Sequence, residues 1–101
     1  MFNKQEILQL LSANYLTLKK FGVKKIGLFG SFSRNEQTKD SDIDFLIEFL
    51  PKQKSFDNYM DLYFYLKTLF NKEIDLKTVK SLPQNRNFTQ NVLNEVEYAT
   101  F

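Results

Sequence analysis

The stretch from Gly30 to Asp44, Gly-Ser-Phe-Ser-Arg-Asn-Glu-Gln-Thr-Lys-Asp-Ser-Asp-Ile-Asp, constrains the rest of the chain more than any other. An apolar run, Val23 to Phe29, stops at its first residue. A second run, Asp42 to Phe49, starts at its end. A Gly-Ser turn therefore closes one predicted strand and an Asp-x-Asp pair opens the next. Residues two apart in a strand share a face, with Cα atoms about 6.5–7 Å apart. Asp42 and Asp44 thus aim two carboxylates at one place, while Ile43, Phe45, Ile47 and Phe49 point the other way and read as core. Two like charges side by side require a cation between them or one raised pKa. A hard, oxygen-seeking cation, Mg²⁺ above all, suits such a pair.

Composition narrows the chemistry. The chain has no His and no Cys, which removes the usual general base, the usual Zn²⁺ ligand, thiolate catalysis and disulfides. Catalysis must run on carboxylates, hydroxyls, Lys, Arg and bound metal. The net charge of +2 is spread along the chain, so nucleic-acid binding by charge alone is disfavoured. At 101 residues and 43% hydrophobic the chain is one domain with a core. No signal peptide or membrane span is visible, and the chain reads as soluble and cytoplasmic.

The remaining elements follow in order. Asn3 and Glu6 fit a capping box and Phe2 and Ile7 a hydrophobic staple. Ile7, Leu8, Leu11, Tyr15 and Leu18 recur at helical spacing, which predicts one helix over about Lys4 to Lys20. Gly22 stands where a left-handed C-cap is expected. Gly27 lies inside the first strand, where a missing side chain suggests close packing. After Gly30-Ser31 one or two helical turns are expected, then a loop at Thr38 to Ser41 and the second strand. Phe56 to Phe70 reads as a helix with Asp57 in its first turn; its apolar residues go most of the way round, so one part covers the sheet and the remainder is a candidate partner surface. Ile74 to Val79 is a third strand carrying Asp75. Asn87 to Val96 is a last helix, and the apolar tail Tyr98 to Phe101 should pack. The order α-β-α-β-α-β-α predicts an α/β (α+β-like) fold with a mixed three-stranded sheet covered by helices.

A helix of crossover length joins the second and third strands, so they should be parallel. Asp42, Asp44 and Asp75 then meet at one sheet end beside the Gly30-Ser31 turn. Backbone N–H groups at a turn opening a helix suit phosphate. Three carboxylates suit one or two divalent ions. This is equipment for metal-assisted phosphoryl or nucleotidyl transfer. The bland readings are a solvated strand edge for the Asp pair, an exposed strand residue for Asp75, a simple N-cap for Ser31 and a surface pairing with Glu36 for Arg34.

Gly30-Ser31, Ser41-Asp42-Ile43-Asp44 and Glu73-Ile74-Asp75-Leu76 together resemble the nucleotidyltransferase superfamily of the DNA polymerase β type, and within it the minimal nucleotidyltransferases. The likeness runs nearly end to end. It implies two Mg²⁺ ions on Asp42, Asp44 and Asp75, with Asp75 also helping to deprotonate the attacking hydroxyl. It implies that Gly30, Ser31 and Arg34 hold the phosphates of ATP. Two positions depart from the pattern. Asn35 stands where Gly is common, and Asn tolerates the left-handed conformation; Phe32 stands where Arg is often found. The resemblance further implies an antitoxin that moves AMP onto a tyrosine of a HEPN-domain toxin, in a hetero-oligomer. A vestigial antitoxin acting by contact, or a small-molecule nucleotidyltransferase of the aminoglycoside type, are the alternatives. The short chain argues against the last, since no second domain is left to bind a small acceptor.

Overall fold

The computed structural model describes residues 2–84 and 86–101. Helix α1, Lys4–Ala13, starts at the expected capping box: Glu6 N donates to Asn3 Oδ1 at 2.8 Å and Asn3 N to Glu6 Oε1 at 3.0 Å. The single predicted helix is in fact two. Asn14 breaks it, leaving helical geometry at φ −106°, ψ 22° before α2, Tyr15–Lys20. Two bonds hold the break: the Asn14 amide turns back to donate to Leu10 O at 2.8 Å, and its Oδ1 accepts from Tyr65 Oη at 2.8 Å. Asn competes for backbone groups in this way, which is why it disfavours helix interiors. Gly22 follows at φ +81°, the expected left-handed residue.

Strand β1, Val23–Phe29, pairs antiparallel with β2, Ile43–Phe49, and β2 pairs parallel with β3, Ile74–Thr78. The crossover between β2 and β3 is α3, Phe56–Phe70, whose N-cap Ser55 accepts from Asn58 N. A 3₁₀ turn, Val79–Ser81, takes over where the third strand was expected to continue. Helix α4, Asn87–Glu95, ends one residue before the predicted Val96. The tail does pack, and part of it as a strand: β4, Glu97–Tyr98, pairs antiparallel with β1. The sheet therefore has four strands in the order β3-β2-β1-β4, not three. Two residues carry too little periodicity to be read as a strand, and Gly27 makes room for them. A Cβ there would stand 2.6 Å from Val96 Cγ2 and 2.9 Å from Tyr98 Cδ1. Beyond β4, Phe101 stacks on Tyr15 with ring centroids 4.7 Å apart.

The sheet is covered on both faces. Ile43, Phe45 and Ile47 of β2 enter the main core with Ile7 and Leu11 of α1, Leu18 of α2, and Leu62, Leu66 and Phe70 of α3. The opposite face holds a smaller cluster in which Leu46 and Phe29 meet Val92 of α4 and Leu82, just after the 3₁₀ turn. Leu46 is fully buried although it lies on the face of the Asp pair. Helix α4 thus docks beside Asp44. On α3 the far side stays open, with Phe56 and Phe64 exposed. No helix among the described residues is long and apolar enough to cross a membrane.

Candidate active site

Asp44 and Asp75 are register partners across the parallel β2–β3 pair. Register partners point to the same face at the inter-strand spacing of about 4.8 Å, so topology alone brings these carboxylates together. The Asp44 carboxyl is pushed up to about 6, first by partial burial, then by the charge of Asp75, a hydrogen bond shared with Asp75 and the charge of Asp42; Lys77 opposes the shift. Lys77, two residues beyond Asp75 on the same face, reaches back to Asp75 Oδ1 at 3.3 Å.

Across the antiparallel β1–β2 pair Phe29 is opposite Asp44, which places Gly30 against the Asp44 side chain. A Cβ at Gly30 would lie 2.1 Å from Asp44 Oδ2, and Gly30 has φ +77°. Both facts require glycine. The segment after it is a series of turns rather than the expected helical turns. Ser33 N and Arg34 N both donate to Gly30 O at 3.0 and 3.2 Å, and Glu36 N donates to Ser31 O at 2.9 Å. Phe32 explains this shape: it is fully buried in the main core and pins the segment down, while Asn35 turns the chain at φ +57°. The two departures from the expected pattern are therefore both structural. With no helix following Ser31, anion binding here would rest on turn N–H groups and side chains, without a helix dipole.

The walls of the site come from α4. A cleft of about 710 Å³ is lined by Gly30, Arg34, Asp44, Asp75 and Lys77 on the sheet side and by Phe88, Asn91 and Glu95 among others on the α4 side. Glu95 binds three neighbours. Its Oε1 accepts from Gly30 N at 2.9 Å, its Oε2 pairs with Arg34 Nη1 at 2.9 Å, and its carbonyl accepts from Ser33 Oγ at 2.7 Å. Arg34 also pairs through Nε with Glu36 at 3.3 Å. Its guanidinium is held above its ordinary value, chiefly by the hydrogen bond and charge of Glu95.

Of the residues marked by sequence, Gly30, Arg34, Asp44 and Asp75 share this cleft. Asp42 stands one residue before β2, near enough for its charge to raise the Asp44 carboxyl. Asp42 is exposed and opens on a neighbouring recess with Lys39, Asp40 and Lys72. Among the described residues no three His, Cys, Asp or Glu side chains are arranged to enclose a metal ion. The donor set still suits a hard cation: two carboxylates held side by side, one half-buried and resisting ionisation, with Lys77 as the nearby positive charge. Lys77 was legible from strand periodicity as a neighbour of Asp75. Glu95 carried no signal as a site residue, because only the docking of α4 brings it to Gly30.

Comparison with known proteins places the chain in a family. The family model for a nucleotidyltransferase domain matches residues 11–99. The protein adenylyltransferase MntA of Thermococcus cleftensis is 36% identical over 99 residues, covering 97% of both chains. A solved structure assigned as a minimal nucleotidyltransferase superposes with a TM-score of 0.78 at 22% identity, covering 95% of each chain. The MNT antitoxin solved in complex with a tri-AMPylated HEPN toxin of Shewanella oneidensis has a TM-score of 0.62 at 20% identity, covering 92% of this chain and 71% of that one. With its paired strand carboxylates, its Gly-Ser turn and a family match over nearly its whole length, this chain belongs to the nucleotidyltransferase domain family.

Proposed function

We propose that this chain transfers AMP from ATP to a hydroxyl group, a tyrosine of a HEPN-type toxin being the acceptor, and so serves as the antitoxin of a toxin–antitoxin pair. The observation that carries the reading is the pairing of Asp44 with Asp75 directly beside the Gly30 turn. The 36% identity to a protein adenylyltransferase over almost the full chain supports the choice of reaction. The antitoxin–toxin complex of the same fold supports the choice of partner.

In the proposed reaction the acceptor oxygen attacks the α-phosphorus of ATP. The bond from that phosphorus to the oxygen bridging to the β-phosphate breaks, and pyrophosphate leaves with the electron pair. Asp75, on the exposed side of the carboxylate pair, takes the hydroxyl proton. Asp44 and Asp75, with Asp42 at the strand entry, would hold Mg²⁺, which when bound neutralises phosphate charge and aligns the reacting oxygens. Ser31 and the N–H groups of Arg34 not used by Glu36 and Glu95 would meet the terminal phosphates. An arginine has five N–H donors in a fixed fork, so two carboxylates do not exhaust it. Most of the rate gain in such transfers comes from positioning and charge neutralisation.

Co-expression with the toxin encoded beside it, followed by intact-mass measurement of that toxin, tests the proposal. Mass steps of one AMP, absent with the double variant D42N/D44N, are expected. An unmodified toxin that still co-purifies and is silenced would instead establish neutralisation by contact.

A further inference from the structure

We infer that Glu95 is a positioning residue for nucleotide binding, acting through Arg34 and the Gly30 turn; the inference rests on the nucleotide-binding reading above. Glu95 is the last residue of α4 and sits with its side chain about one-fifth exposed at the wall of the cleft. Its two carboxylate oxygens are divided between different elements. One takes the backbone N–H of Gly30, the residue that closes β1; the other takes the guanidinium of Arg34 four residues later. The bridge therefore fixes the turn and the cation relative to each other.

The main chain holds Glu95 in place for this task. Its carbonyl accepts the buried Ser33 hydroxyl. Val96 N bonds back to Val92 O, and the next residues pair with β1 at Gly27 and Leu28. A carboxylate anchored on both sides can orient an arginine. Glu36 holds the guanidinium from Nε at 3.3 Å and Glu95 from Nη1 at 2.9 Å, so the fork lies between two carboxylates with its remaining donors available to the cleft. An arginine on a half-exposed turn would otherwise sample many rotamers, and ordering it in advance lowers the entropy lost when an anion binds.

The alternative arrangement is equally concrete: a carboxylate on these two donors could be a competitor that a triphosphate must displace. The two ideas predict opposite signs. The experiment measures the Kd of the non-hydrolysable ATP analogue AMP-PNP with Mg²⁺ by calorimetry, for wild type, E95Q, E95A, R34A and E95A/R34A, with melting curves to establish folding. A positioning role predicts roughly tenfold weaker binding in E95A, with a smaller loss in E95Q, which keeps an acceptor for Gly30 N–H. It also predicts that the E95A loss is clearly smaller in the R34A background, where only the part carried by the Gly30 turn remains. Tighter binding in E95Q and E95A overturns it in favour of the competitor. An E95A effect that persists at full size without Arg34 overturns it in favour of a purely structural contribution. A wild type that binds the nucleotide while E95A binds it equally well overturns this inference alone. A wild type that binds none overturns the proposed function together with it.

Discussion

Asp44 and Asp75 face the cleft from adjacent parallel strands, in register, with Gly30 close enough to Asp44 to exclude any side chain. The geometry places the two carboxylates by backbone pairing, so they stay together whether or not a ligand is present. Keeping like charges together has an electrostatic cost in the free protein, and several consequences follow from it.

Replacing Asp44 by Asn removes one of these charges without changing side-chain volume. D44N is expected to abolish AMP transfer and yet to fold with slightly higher stability at pH 7. The full shift from 3.8 to about 6 corresponds to roughly 3 kcal/mol. Solvent screening at a half-buried site reduces the expected gain to about 1 kcal/mol. Denaturant melts compared with the mass assay read both effects, and a D44N protein less stable than wild type would contradict the electrostatic account.

The same shift sets a pH dependence for the metal-free protein. The folded state raises the Asp44 pKa, so between about pH 4 and 6 it binds more protons than the unfolded chain. Stability from this group is complete below pH 4 and is lost as pH rises through 6. The stability difference between wild type and D44N should therefore vanish near pH 4 and open above pH 6, as measured by urea melts in the presence of a chelator. A difference independent of pH would rule out titration of Asp44 as its source.

Gly30 should tolerate no substitution. G30A places a Cβ against Asp44 Oδ2 and requires an L-residue at φ +77°. The conformational penalty alone is about 1–2 kcal/mol, and the clash adds to it or swings the Asp44 carboxylate away from Asp75. Transfer activity is expected to fall by at least about 100-fold even where the protein still folds, since misplacing a catalytic group by about 1 Å has that effect. A G30A enzyme of normal activity would show that Asp44 does not need its present orientation.

Leu46 carries α4. Truncation to Ala empties the centre of the small cluster formed with Phe29, Leu82 and Val92, at a cost of about 2–5 kcal/mol. Because α4 also delivers Glu95, L46A is expected to weaken nucleotide affinity at temperatures where circular dichroism shows the fold intact. L62A, in the main core beneath α3, should destabilise by a similar amount with nucleotide affinity retained. Equal affinity losses in the two variants would mean that α4 has no special link to the site.

Much of this was legible in the chain itself. The alternation of Ile43, Phe45 and Ile47 against Asp44, the crossover length of Phe56–Phe70 and the Gly-Ser turn before an Asp-x-Asp pair specify β1, β2, α3 and β3, the parallel pairing of β2 with β3, and the meeting of Asp44 with Asp75. These are local signals, set by side-chain period and connection length. Three features depended on the folded protein. Asn14 splits the first helix where the hydroxyl of Tyr65, distant in sequence, donates to its side-chain oxygen. Glu97–Tyr98 becomes a strand because Gly27 leaves a place for it. Glu95 joins the site because docking of α4 decides which side chains converge there. Sequence periodicity reports the face on which a residue lies; which faces then come together is settled by packing between elements far apart in the chain.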